Sequence, residues 1–209
     1  MLLITLLVFL HLIATCAAIG TIVITDLRLL AKVLGYRVVI PAPQRFETIT
    51  ISVALLGLYL TGGLLIFFGL ADRSDYLMNG KLQGKLVLVG LLTANAFVLH
   101  RWVFPILQRS RPVSAWTRRD WITVALAVSL SNSAWFFAAF LGVARPWNHT
   151  VSPGFVLQIA AMAWAVLFLL VNAVLLLASR DAPKPNPDWI DAVKSSWSEV
   201  GELAPAKKR

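Results

Sequence analysis

Charge is scarce in this chain of 209 residues: 14% are Asp, Glu, Lys or Arg and 58% are apolar, whereas soluble domains carry about 25% charged residues. That balance excludes a disordered chain, a collagen-like repeat and an ordinary soluble enzyme. A single cysteine excludes an intrachain disulfide framework and a Cys-rich metal cage. Phosphate-binding loop, dinucleotide-binding and hydrolase fingerprints are missing. All ten acids lie outside the uncharged runs or at their edges, which argues against a pump built on paired intramembrane carboxylates. No internal repeat is present, which weakens the reading of a small-solute permease.

What the chain has is oil-like segments. A hydrocarbon layer about 30 Å thick takes about 20 mostly apolar residues to cross. Uncharged runs cover 1–25, 48–71, 86–100, 121–144 and 146–179. Four are long enough unaided; the third spans only if it reaches Val103, with Arg101 and Lys85 snorkelling to opposite interfaces. The expected fold class is therefore all-α: an integral membrane bundle of five transmembrane helices over 1–180, with spans near 2–25, 48–71, 84–104, 121–144 and 155–179. The first run lacks the basic start and short core of a secretory signal, so it is read as a retained helix.

Orientation follows from Lys and Arg counted loop by loop. Fifteen fall after helix 1, after helix 3 and in the tail; four (Arg73, Lys81, Lys85 and Arg145) fall on the other side. The expectation is a bacterial cytoplasmic membrane, with the N-terminus outside and the tail in the cytoplasm. This asymmetry accounts for the net charge of +9 without nucleic acid as a partner; the lipid bilayer is the partner it implies. Small residues, Ala14 with Ala18, Cys16 with Gly20, and Gly57, Gly62 and Gly63, permit close helix approach within one chain or, alternatively, in a homo-oligomer.

The tail, 181–209, contains Asn186, Pro187 and Asp188, a good helix start. An amphipathic helix over about 187–203 would align Trp189, Ile190, Val193, Trp197 and Val200 on one face. Such a stripe suits a membrane surface or a partner subunit equally.

Polar residues inside the spans are costly unless paired, so they are where function is sought. Counting along the helices at about 1.5 Å per residue places His11, Thr61, Asn95, Ser131 and Asn132 in one midplane layer. His100 and Asn172 lie lower, and Asp26 and Arg28 read as charges at the inner end of helix 1. His149 belongs to an outer loop within the sequon Asn148, His149, Thr150. Imidazole is a common axial ligand of haem, so His11 and His100 are the metal candidates, with Asn95, Ser131 and Asn132 as surrounding cofactor contacts. No helix carries two histidines, which excludes the di-haem pattern of quinol-oxidising cytochromes b. Without a cofactor, His11 would hydrogen-bond to Asn95 or Asn132 across helices.

Lys85, Leu86, Asn95, His100 and Pro105, taken with His11, Gly20 and Asp26 and the Ser131 to Trp135 stretch, resemble small bacterial membrane proteins. The helix arrangement is similar to the broad group containing the HemJ-type protoporphyrinogen oxidase and the CopD-type copper resistance protein. The resemblance covers helices 1 to 4. In the HemJ family the helix 3 histidine follows the Lys-Leu pair more closely than His100 follows Lys85, so porphyrinogen oxidation is not carried over. Three methionines and one cysteine are few soft ligands for Cu(I). Two functional readings stand: haem b binding, or assistance to a membrane redox complex, through the His11 layer; and a non-catalytic accessory subunit whose polar layer locks helix packing.

Overall fold

The computed structural model describes residues 2–33, 45–109 and 113–180, with side chains of the first segment described as far as Leu27. The described chain is all-α and without strands. Five helices are long and apolar enough to cross a membrane: α1 (Leu2–Val33), α2 (Arg45–Asp72), α3 (Gly80–Gln108), α4 (Arg118–Val143) and α5 (Pro153–Arg180). The tail helix and its Trp189 to Val200 stripe lie outside the described residues.

Helices α3, α4 and α5 begin earlier than hydropathy predicts, because caps rather than the first apolar residue set their starts. Asn79 caps α3, its Oδ1 accepting from Lys81 N at 3.1 Å. Thr117 and Asp120 form a reciprocal capping box at α4, satisfying two amides that lack a partner within the helix. Pro153 opens α5, where its missing N–H costs nothing, and Ser152 Oγ accepts from Phe155 N at 3.2 Å.

Helix α3 is continuous because a π turn at Leu99–Val103 absorbs Pro105. A proline ring clashes with the carbonyl four residues back and donates no hydrogen bond. Widening the preceding turn is one way a helix tolerates this, and Phe104 N accordingly bonds to Leu99 O, five residues back.

Helix α4 is the centre of the bundle. Of its most apolar stretch 61% is buried, against 22% in α3 and 11% in each of α1, α2 and α5. α3 and α5 pack on α4 and on one another, whereas α2 is held chiefly by α1. Ala18, Ile22, Ala54, Leu92, Ala134 and Trp135 form one core cluster; Leu88, Phe137, Leu141, Val156 and Ala160 form a second where α3, α4 and α5 meet. At the end of α4 near its last residue, Lys81 Nζ donates to Ala144 O at 3.2 Å, placing a cation against carbonyls and the negative end of the helix dipole.

Small residues serve contacts within this chain. A Cβ on Gly57 would meet the Ala14 Cβ at 3.6 Å, and one on Gly62 the His11 ring at 3.5 Å. The tightest approaches lie elsewhere: a Cβ on Gly80 would sit 2.3 Å from Val151 O, and one on Gly84 2.6 Å from Val156 Cγ1. Cys16 is exposed, and Gly20 has nothing within 4 Å of a Cβ, so this pair plays no part in packing among the described residues.

Gly80→Ala is therefore expected to destabilise the bundle by about 1–3 kcal/mol, the usual cost of overpacking. Gly63→Ala and Gly90→Ala, which open onto empty space, should be neutral or stabilising by up to about 1 kcal/mol. Unfolding titrations in mixed detergent would check both directions.

Candidate functional site

The polar residues expected to share one layer separate into distinct units. His11 does not reach Asn95 or Asn132; its Nδ1 lies 2.8 Å from Thr61 Oγ1 on α2. Asn95, buried on α3, donates instead to Ala127 O of α4 at 2.9 Å. Asn132 donates from Nδ2 to Asp26 Oδ1 on α1 at 3.4 Å. Counting residues gives depth along a helix but not which side faces which neighbour, and the side decides the partner.

The His11 unit has a defined proton arrangement. Thr61 has one hydroxyl proton, and Oγ1 directs it at Gly57 O, 2.6 Å away in the preceding turn. In that arrangement the oxygen that faces His11 accepts and Nδ1 carries the proton; the other tautomer would take the Thr61 proton away from Gly57 O. In the neutral ring this leaves the Nε2 lone pair free to ligate, the tautomer selection that a partner behind an imidazole provides. The ring lies against Gly62.

Asp26 is the principal correction to the sequence reading. It is not an end charge: its partner Asn132 stands fourteen residues into α4, about 21 Å of helical rise. Asp26 and Glu47 both line one cavity of about 150 Å³ between α1, α2, α3 and α4. Glu47 is 6% exposed. The signal in the sequence is the continuation of the apolar pattern beyond Asp26 at Leu27, Leu29, Leu30 and Val33, which carries α1 past this acid.

Ser131 and His100 line that same cavity. His100 lies in the π turn of α3, its ring edge-on to Phe104 at 4.8 Å. It is thus grouped with Asp26, which lies fifteen residues beyond His11 on α1, about 22 Å of rise. The structure does not bring His11 and His100 to a common metal, and the two-histidine ligand set is withdrawn. Among the described residues no three His, Cys, Asp or Glu side chains gather as a metal cage.

The remaining polar groups tie helices together. Trp164 Nε1 donates to the fully buried Ser129 Oγ at 3.1 Å, and Trp121 Nε1 donates to Asn172 Oδ1 at 2.9 Å. These indole donors were not foreseen from the sequence, which marks tryptophan as apolar or interfacial. Neither a protein-family model, nor a curated protein, nor a solved structure matches this chain.

The Asp26 and Asn132 pair should show a double-mutant coupling of about 0.6 kcal/mol and not above about 1.7, the range of hydrogen bonds between membrane helices. Unfolding of the wild type, Asp26→Ala, Asn132→Leu and the double variant in detergent would measure it.

Proposed function

We propose that this chain is a bacterial inner-membrane protein that binds haem b through His11, serving or assisting a membrane redox reaction, with its N-terminus outside and its tail in the cytoplasm. The observation that carries the reading is the hydrogen-bond chain from His11 Nδ1 through Thr61 Oγ1 to Gly57 O. It holds the ring in one tautomer with Nε2 free, which is the requirement for an axial ligand. Gly62, which has no side chain to crowd the ring, suits the same group.

When bound, haem b supplies a one-electron iron couple. The chain's own contribution is local. His11 would hold the iron, Thr61 would fix the ring orientation, and the apolar flank of α1 and α2 would limit access of water. His100, Asn95, Ser131 and Asn132, which are engaged elsewhere, are not part of this unit.

Protein purified in detergent from haem-replete cells should show a Soret band that shifts on reduction. His11→Ala should abolish it, His100→Ala should leave it, and Thr61→Val should weaken haem affinity by about 10–100-fold, as loss of a partner behind a ligand does. A colourless preparation, or a band that survives His11→Ala, overturns the proposal. Reporters fused to the two ends test the orientation: a tail reporter active outside the cytoplasm contradicts it.

A further inference from the structure

The cavity between α1, α2, α3 and α4 carries a second site, independent of His11 and of haem. Its volume is about 150 Å³, the size at which an apolar protein cavity accommodates one benzene ring. The walls are largely hydrocarbon: Ile22, Leu92 and Val128, with the aromatic side chains of Trp135 and Phe104. A void of this kind in a membrane bundle suits a flat apolar guest better than a hydrated ion, which would need most of its shell replaced by oxygen.

Eight polar side chains, among them Asp26, Glu47, His100, Ser131 and Asn132, interrupt the apolar lining, and one of them holds an unserved atom. Asn132 is 9% exposed and lines the cavity, and its buried Oδ1 has no hydrogen-bond partner among the described residues. The amide orientation is set by Asp26, because Nδ2 faces the Asp26 Oδ1 and an amide oxygen there would oppose a carboxyl oxygen. An orphaned acceptor in low dielectric is costly. It therefore stands beside a second acceptor, the Asp26 carboxyl, with spare lone pairs. A guest group that satisfies both must bring a hydrogen-bond donor; a carbonyl or ether oxygen placed at this point of the wall would set acceptor against acceptor.

We propose that this cavity binds a single aromatic ring bearing hydroxyl donors, a phenol or hydroquinone drawn from the lipid phase, with a hydroxyl serving Asn132 Oδ1 and Asp26. Size selects one ring, the hydrocarbon walls select an apolar body, and the acceptor pair selects the hydroxyl form over a carbonyl form.

The test uses the full chain in detergent under argon, with hydroquinone and 1,4-difluorobenzene as probes; the second has nearly the same ring size and no donor. Hydroquinone should raise the thermal unfolding midpoint saturably, as a ligand specific for the folded state does. Difluorobenzene should be weaker by about tenfold or more, the scale of lost buried hydrogen bonds. Val128→Phe, which fills the cavity and leaves Asp26 and Asn132 in place, should abolish the hydroquinone effect, and Asn132→Leu should remove the preference between the probes. The absence of a saturable shift, equal potency of the two compounds, or a shift that survives Val128→Phe overturns the proposal. So does stabilisation by sodium chloride in place of hydroquinone, which would identify a cation site. The comparison of the two probes on the wild-type chain stands even if a variant fails to fold, and His11→Ala should leave it unchanged whether or not haem is bound.

Discussion

Helix α4 carries Ser129, Asn132 and Ser133 in the middle of a segment that has to live without bulk water, and the positions of its neighbours follow from how these groups are served. In hydrocarbon a polar side chain is paired within the protein or the helix does not stay there. Ser129 receives the indole of Trp164 from α5, and Asn132 meets Asp26 from α1. The third neighbour, α3, uses the α4 backbone in return, Asn95 donating to Ala127 O. Three helices are thus oriented around one by polar contacts on separate faces. Ser133 closes its own account, donating to Leu130 O at 3.2 Å.

These bonds orient more than they stabilise. At about 0.6 kcal/mol each, they are weaker than the close packing of Leu88, Leu141 and Val156 that surrounds them. Packing between apolar helices in lipid is nonetheless nearly indifferent to rotation, since tails are as apolar as leucine side chains. A directional bond at one depth fixes which face turns inward. Helix α2 is located through α1, by the His11 to Thr61 bond and the approach of Ala14 to Gly57, and through α3, by the bond between the Tyr59 and Thr93 hydroxyls. The order of placement is therefore α4 first, then α1, α3 and α5, with α2 following α1 and α3.

This explains what could be read in the sequence. The number of spans was legible because scarce charge marks the ends of each run; the ends shifted where Asn79, the Thr117 and Asp120 box, or Pro153 extended a helix, where α1 ran on to Val33, where α2 began at Arg45, and where the π turn carried α3 past Pro105. Polar depth was partly legible: His11 and Thr61 were placed in one layer and do bond. Partner identity was not, since depth is one coordinate and the face is another. Hydropathy counts Trp164 as lipid-compatible and hides its donor, and it counts Asp26 as an end marker although α1 runs on to Val33.

The face can nevertheless be recovered for α1 once its length is known. At 3.6 residues per turn, Leu7, Ala14, Ala18, Ile22 and Asp26 all fall within about 60° of His11 around the helix. That stripe is the inner surface of α1: Leu7, Ala18 and Ile22 are buried, and Leu3, Leu6, Leu10, Leu12 and Ile13 are exposed. Ala14 and Asp26 therefore lie at the two edges of one seam, the first turned to α2 and the second to α4, with His11 between them. A rotation of α1 that improved one contact would spoil the other unless its neighbours moved too. The histidine unit and the hydroxyl-seeking cavity are chemically separate, yet the same helix angle sets both. In a bundle whose lipid-facing surface resists rotation so little, that shared angle is what keeps Nδ1 on Thr61 while Asn132 keeps its amide on Asp26.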